Sequence, residues 1–260
     1  MCTVSWATCA DGYELFCNRD ERRTRGVARP PALGDSRGVR FIAPADADAG
    51  GTWVAVNEHG LTLCLLNRDA EEEAASPRVY KSRGLLLPPL MCSREPAEVV
   101  REVAREGLSE FRPFTLLAIA PGARPAVAAW TGGGLLISEG AVTPLTSSSD
   151  KGSEVTRTRK ELFRAMTGGT THPTADLIRR FHASHLPAPG PLSVCMHRPD
   201  ASTVSFSRVT VTDTLVEFYY QPGPPCAGAR GVRAYLPRAG RREDCSRLKR
   251  GASAAACEVG

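Results

Sequence analysis

The sequence predicts an α+β fold in which two antiparallel sheets stack face to face, with helices on both outer sides. Three observations carry that prediction. Short apolar or alternating segments are bounded by Gly, Pro, Asn and Asp, the pattern of strands and hairpins. One hairpin is apolar at nearly every position, so both faces of its sheet must be covered. Helical periodicity surfaces in few places, always between blocks of strands, and gives the order strands, helices, strands, helices, strands. The expected architecture is therefore a four-layer αββα sandwich, and 260 residues with 42% hydrophobic content are enough to fill its core.

The elements follow in order. Alternation in Thr3 to Thr8 and in Tyr13 to Cys17, joined across Ala10-Asp11-Gly12, reads as a first hairpin with an Asp-Gly turn. The charged run Asn18-Arg19-Asp20-Glu21-Arg22-Arg23 comes next and gives way to a loop around Pro30-Pro31. A second hairpin pairs Gly51 to Val56 with Leu61 to Leu66 across Asn57-Glu58-His59-Gly60, and this is the one buried on both faces. Ser93 can cap a helix with Pro96 in its first turn, continuing from Ala97 to Arg105. Strands are expected at Phe114 to Ala120, Pro125 to Trp130 and Gly134 to Ser138, and helices at Val155 to Met166 and Thr174 to His182. The last strands are expected at Leu192 to Met196, Thr203 to Val209 and Leu215 to Tyr220.

Composition divides the chain in two. Residues 1–221 read as one domain and are electrically neutral, whereas residues 222–260 carry eight basic residues against three acidic ones. That tail is rich in Pro, Gly, Ala and Arg, has few large hydrophobes, and is expected to be largely disordered. A neutral body with its basic excess in a tail argues against a nucleic-acid partner. The stretch from Met1 to Phe16 does not resemble a signal peptide, and no run approaches the ~18 apolar residues that span a bilayer, so a soluble cytoplasmic protein without a transmembrane segment is expected. The nine cysteines are scattered and lack CxxC or CxxH spacing, so most are read as reduced and packed. His182 and His185 fall near a helix end, where a solvated or dipole-facing role is expected; no metal site and no cofactor are indicated.

The residue with the most chemistry is Cys2. If Met1 is removed, the chain begins with a thiol and an α-amine on one residue, and an amine titrating near ~8 can take the proton of a thiol titrating near ~8.5. The competing reading is a small buried hydrophobe opening the first strand.

Met-Cys at the start, Asn18-Arg19-Asp20-Glu21 and Gly50-Gly51-Thr52-Trp53 together resemble the NRDE family, relatives of the transport and Golgi organisation protein 2 group. A more distant likeness reaches the N-terminal nucleophile hydrolases that cleave conjugated bile acids and penicillin V. That resemblance implies the sandwich fold and a site made of Cys2 as nucleophile, Asp20 and Arg19 near it, Asn67 as an oxyanion donor, and Arg157 as a late arginine, with Arg159 as its rival. The hydrolases place their early arginine where this chain has Cys17. Adjacent strand residues face opposite ways, so Arg19 and Asp20 both reach Cys2 only if a turn or bulge intervenes. Asn18 and Ser147 complete the expected site as substrate contacts, Ser147 standing where the hydrolases carry an asparagine. The implied activity is amide or thioester hydrolysis on a small molecule with a hydrophobic acyl group. The alternative the resemblance leaves open is a non-catalytic carrier or organising protein, handling lipid or haem on a hydrolase scaffold.

Overall fold

The first hairpin pairs β1 (Cys2–Cys9) with β2 (Gly12–Arg22), joined at the Asp11-Gly12 turn. The computed structural model describes residues 2–9, 11–68, 79–147, 152–170 and 172–240. β2 runs well past Cys17, so Asn18-Arg19-Asp20-Glu21 lies within the strand instead of following it. The polar run can stay extended because a second neighbour, β11 (Ala201–Val211), pairs with β2 all the way from Tyr13 to Arg22.

Two sheets result. One has the order β10-β1-β2-β11-β12-β13, with β10 at Leu145–Thr146, β12 at Leu215–Pro222 and β13 at Val232–Pro237. The other runs β3 (Arg29–Ser36), β4 (Val39–Ala45), β5 (Val54–Asn57), β6 (Thr62–Asn67), β7 (Phe114–Ile119), β8 (Ala126–Trp130) and β9 (Leu135–Glu139) in sequence order. Every strand pair in both sheets is antiparallel.

Side-chain alternation sorts three apolar layers. Val4, Trp6, Leu15 and Cys17 of the first sheet meet Val54, Val56, Cys64 and Leu66 of the second. The outer face of the second sheet, with Leu63, Leu65 and Phe114, is covered by α1 (Leu87–Leu90) and α2 (Pro96–Arg105). Phe16 and Phe206, on the outer face of the first sheet, are covered by α3 (Gly152–Thr167) and α4 (Ala175–His182). The four-layer αββα sandwich is the observed architecture. Among the described residues, no helix is long and apolar enough to cross a membrane.

Several elements differ from the sequence reading. Residues 192–196 form no strand, because their backbone groups serve Arg159, Asn18 and Ser184. Ser93 does not cap α2: Glu95 stands at that position without a side-chain cap, and Ser93 lends its carbonyl to Asn57. The stretch after Pro222 is not wholly without structure, since β13 pairs with β12 and buries Leu236 between the sheets. Residues 241–260 lie outside the described residues.

Candidate functional site at the start of the first strand

Cys2 opens β1 directly opposite Arg19 of β2, and the two side chains share the face that looks toward the second sheet. Its backbone nitrogen donates to Ser147 Oγ at 3.2 Å, while Ser147 N–H donates to the Cys2 carbonyl at 3.0 Å. Ser147 thus grips the main chain of Cys2 from the β10 side. A cavity of about 110 Å3 lies before it, lined by Cys2, Arg19, Asp20, Trp53, Asn67 and Gly84 among others.

Arg19 is fixed in three ways. Its guanidinium stacks on the Trp53 ring at 4.2 Å, pairs with Asp46, and lies 3.7 Å from Glu21. Asp46 is the hub of this wall: it also takes a bidentate pair from Arg25 and a backbone N–H from Ala49. Burial works against its ionisation, but the Arg25 hydrogen bond, the Ala49 N–H and the two guanidinium charges outweigh it and hold the carboxyl far below the usual range.

Asp20 faces the other way. β2 keeps strict alternation through this stretch; the irregularity is in β11, between Thr203 and Ser205. That bulge sets Thr203 opposite Asp20, and the Thr203 hydroxyl donates to Oδ1 at 2.6 Å. Arg159 Nη1 approaches Oδ2 at 3.4 Å. Burial raises the Asp20 carboxyl above its ordinary range, against the pull of Arg159 and Thr203. So Arg19 and Asp20 flank Cys2 on opposite faces of one strand, yet Asp20 is close enough for its charge to bear on the Cys2 thiol.

The late arginine in contact with this group is Arg159. Arg157 is exposed on α3, whereas Arg159 is fully buried, because only every third or fourth residue of the helix turns inward, as Val155, Arg159 and Phe163 do. Asn18 is likewise not a cavity residue. It lies on the outer face, where its amide donates to the carbonyls of His182 and Val194 at 2.9 and 3.0 Å. Both amide hydrogens are thereby used, so its oxygen accepts from His182 Nδ1–H and leaves Nε2 to accept the Ser5 hydroxyl. His182 is buried, not solvated as the sequence suggested. Asn67 lines the cavity at the end of β6.

The thiol of Cys2 is pushed well up, first by its hydrogen bond with Cys17 and then by burial. Cys17 in turn receives a hydrogen bond from Cys64 Sγ at 3.7 Å, so three reduced thiols run inward from the cavity. With Met1 attached, the Cys2 nitrogen is a peptide amide and no base. The cavity is small and mostly polar, with Trp53 and Leu65 as its large apolar lining.

No curated protein matches the chain in sequence. Solved structures do match in fold. The penicillin V acylase of Agrobacterium tumefaciens superposes with a TM-score of 0.51 at 14% identity, over 91% of this chain and 86% of that one. The Caenorhabditis elegans ortholog of N-acylethanolamine-hydrolyzing acid amidase superposes with a TM-score of 0.54 at 10% identity, over 80% of this chain and 92% of that one. Both are N-terminal nucleophile hydrolases, and the likeness is one of fold. The family model for Transport and Golgi organisation 2 matches residues 1–132, which include Cys2, the Asn18 to Glu21 tetrad, Trp53 and Asn67. The chain belongs to the Transport and Golgi organisation 2 family.

Proposed function

We propose that this protein is an N-terminal cysteine hydrolase that cleaves an amide or thioester bearing an acyl group whose reacting end is small enough for the cavity. The observation that carries the reading is the placement of Cys2. It stands at the cavity wall with Arg19 across the ladder, Ser147 on its backbone nitrogen and the Asp20–Arg159 pair behind it.

Removal of Met1 would convert the amide nitrogen held by Ser147 into an amine, and the amine then takes the Cys2 proton as the sulfur attacks the substrate carbonyl. Asn67, with a backbone amide, donates to the tetrahedral oxyanion, a contribution on the order of 3 kcal/mol per donor. The ammonium returns its proton to the leaving nitrogen or sulfur, and water releases the acyl group from the thioester. Arg19 sets the positive field over the cavity, and the negative charge of Asp20 favours the protonated amine. A reducing compartment such as the cytoplasm keeps the three inward-running thiols in the form this chemistry needs.

One observation favours a second reading: the Cys17 hydrogen bond holds the Cys2 thiol protonated, as suits a carrier that binds lipid or haem without turnover. The test begins with intact mass, to establish that Cys2 is first. A graded series of fluorogenic acyl amides and acyl thioesters is then incubated with this form, with the form retaining Met1, and with Cys2→Ala. Turnover by the Cys2-first form alone, with an acyl adduct on Cys2 by mass, is the expected result. No adduct and no turnover, with saturable binding of haem or a fatty acid instead, gives the field to the carrier.

A further inference from the structure

On the side of the first sheet away from the cavity, the fold gathers two histidines and two cysteines from three separate segments. We propose that His185, Cys195, His197 and Cys226 bind one zinc ion in a closed tetrahedral site. Their ligand atoms all lie within 4.8 Å of one another. Cys195 Sγ and Cys226 Sγ stand 3.5 and 3.4 Å from His197 Nε2. In a tetrahedron with Zn–S of about 2.3 Å and Zn–N of about 2.0 Å, the edge between sulfur and nitrogen is about 3.5 Å. The two imidazole rings meet edge to face at 5.0 Å between centroids.

The second observation is His185 Nε2, which is buried and has no hydrogen-bond partner among the described residues. A buried ring nitrogen left without a partner costs stability, and a metal bond removes that cost. Two thiolates and two neutral imidazoles form a donor set that selects zinc over calcium or magnesium. On binding, each thiol gives its proton to solvent, two Zn–S and two Zn–N bonds form, and the ion with its ligands is left without net charge. No electron changes hands. Four protein ligands leave no open position, so the site is structural, not catalytic.

Its ligands come from three places: His185 just beyond α4, Cys195 and His197 in the segment that enters β11, and Cys226 in the tight turn Pro225–Ala227 after β12. The middle segment also holds the nucleophile's surroundings. Ser193 accepts from Arg159 at 2.7 Å, and Met196 N–H donates at 2.8 Å to Thr203, the residue that bonds Asp20. A metal here would brace the wall behind Asp20 against both α4 and the β12 edge. The inference does not depend on the hydrolase reading.

The test uses the whole chain, purified under reductant from zinc-supplemented cells. Expected are about one zinc per chain by elemental analysis and, after exchange, the thiolate charge-transfer and tetrahedral d–d bands of cobalt. Cys226→Ser, at an exposed position, and His197→Gln should each lower zinc affinity at least about tenfold, while Cys9→Ser, an exposed cysteine outside the cluster, should change nothing. Chelation should lower the melting temperature of the parent and not that of Cys226→Ser. Absence of stoichiometric metal and of cobalt bands in the reduced protein would overturn the proposal. So would zinc retained by both variants, or a Cys195–Cys226 disulfide that persists under reductant and excludes added zinc.

Discussion

Arg159 and Asp20 form an ion pair inside the molecule, Nη1 to Oδ2 at 3.4 Å, with side-chain exposures of 1% and 0%. The guanidinium does more than neutralise: it donates to the Thr3 hydroxyl at 2.6 Å, to the Thr146 hydroxyl at 3.2 Å and to the Ser193 carbonyl at 2.7 Å. One side chain thereby joins α3 to β1, β10 and the segment entering β11. Removing it takes the guanidinium charge from a buried carboxylate and one donor from each of these acceptors. Arg159→Met should therefore cost about 3–5 kcal/mol in guanidinium unfolding. Adding Asp20→Asn to that background should recover part of the loss, because the stranded charge is gone, with a coupling above about 1 kcal/mol. Simple additivity of the two changes would show the pair is not a unit.

Cys17 acts on Cys2 in the sense opposite to a cation: hydrogen bonding between the two sulfurs is the main reason the Cys2 thiol resists ionisation. Cys17→Ala should raise the alkylation rate of Cys2 by iodoacetamide several-fold at mildly alkaline pH, followed peptide by peptide by mass spectrometry. Burial still opposes the thiolate, so the rate should remain below that of the exposed Cys9. The cavity left by one sulfur atom should cost about 1 kcal/mol. An unchanged rate would mean burial alone sets the reactivity of Cys2.

What the sequence made legible, and what it hid, follows from the range of the forces involved. The Asp11-Gly12 turn and the apolar run from Leu61 to Leu66 announce their strands through local pattern, and they were readable. Alternation correctly placed Arg19 and Asp20 on opposite faces, since the bulge arose in β11 and not in β2. β3 and β4 were not readable, because prolines and charges interrupt their local pattern; β3 is the edge strand of its sheet, defined by its neighbour β4 more than by its own residues. Arg157 and Arg159 differ by two residues, which on a helix is the difference between water and core, and only the packing of α3 decides which is which. In the His185, Cys195, His197 and Cys226 cluster only Cys195 and His197 are close in sequence, and three segments must meet to assemble it. His182 looked like a helix-end residue facing solvent, and only α4 docking on β1 and β2 shows that Ser5 and Asn18 are its partners.

That burial makes His182 a source of acid sensitivity. Burial first, and the charge of Arg159 second, lower its pKa from the ordinary 6.5 to about 3. As pH falls through 6.5 the unfolded chain takes up a proton and the folded chain does not, until about pH 3. Stability from this residue is thus complete above pH 6.5 and is lost across that window at up to about 1.4 kcal/mol per pH unit. Asp20 works in the opposite sense: its raised carboxyl binds a proton more readily in the folded chain and softens the fall at the acid end. His182→Gln should flatten the stability profile between about pH 6 and 4 while costing about 1–3 kcal/mol near neutrality, where the bonds to Ser5 and Asn18 are disturbed. An equally steep profile in the variant would assign the acid sensitivity elsewhere.

Gly51 gives the Gly50-Gly51-Thr52-Trp53 motif its physical reason. A Cβ on Gly51 would lie 2.4 Å from the Gly84 carbonyl carbon and 2.7 Å from the Leu85 nitrogen, far inside contact distance and against backbone that cannot step aside. Two chain segments pass this closely because Thr52 N–H donates to the Gly84 carbonyl at 3.0 Å, and both glycines line the cavity. Two residues on, Trp53 supplies the platform for Arg19. Gly51→Ala should therefore push the 82–85 segment away from the cavity wall, cost about 1–3 kcal/mol, and loosen the stacking of Arg19 on the indole. The readouts are unfolding by denaturant together with the emission of Trp53 in a background where Trp6 and Trp130 are replaced by Phe. Added solvent at the indole shifts that emission to the red. If Gly51→Ala lowers stability without moving the emission, the close approach serves packing alone; if the emission shifts as well, the two glycines are what hold Trp53, and through it Arg19, over Cys2.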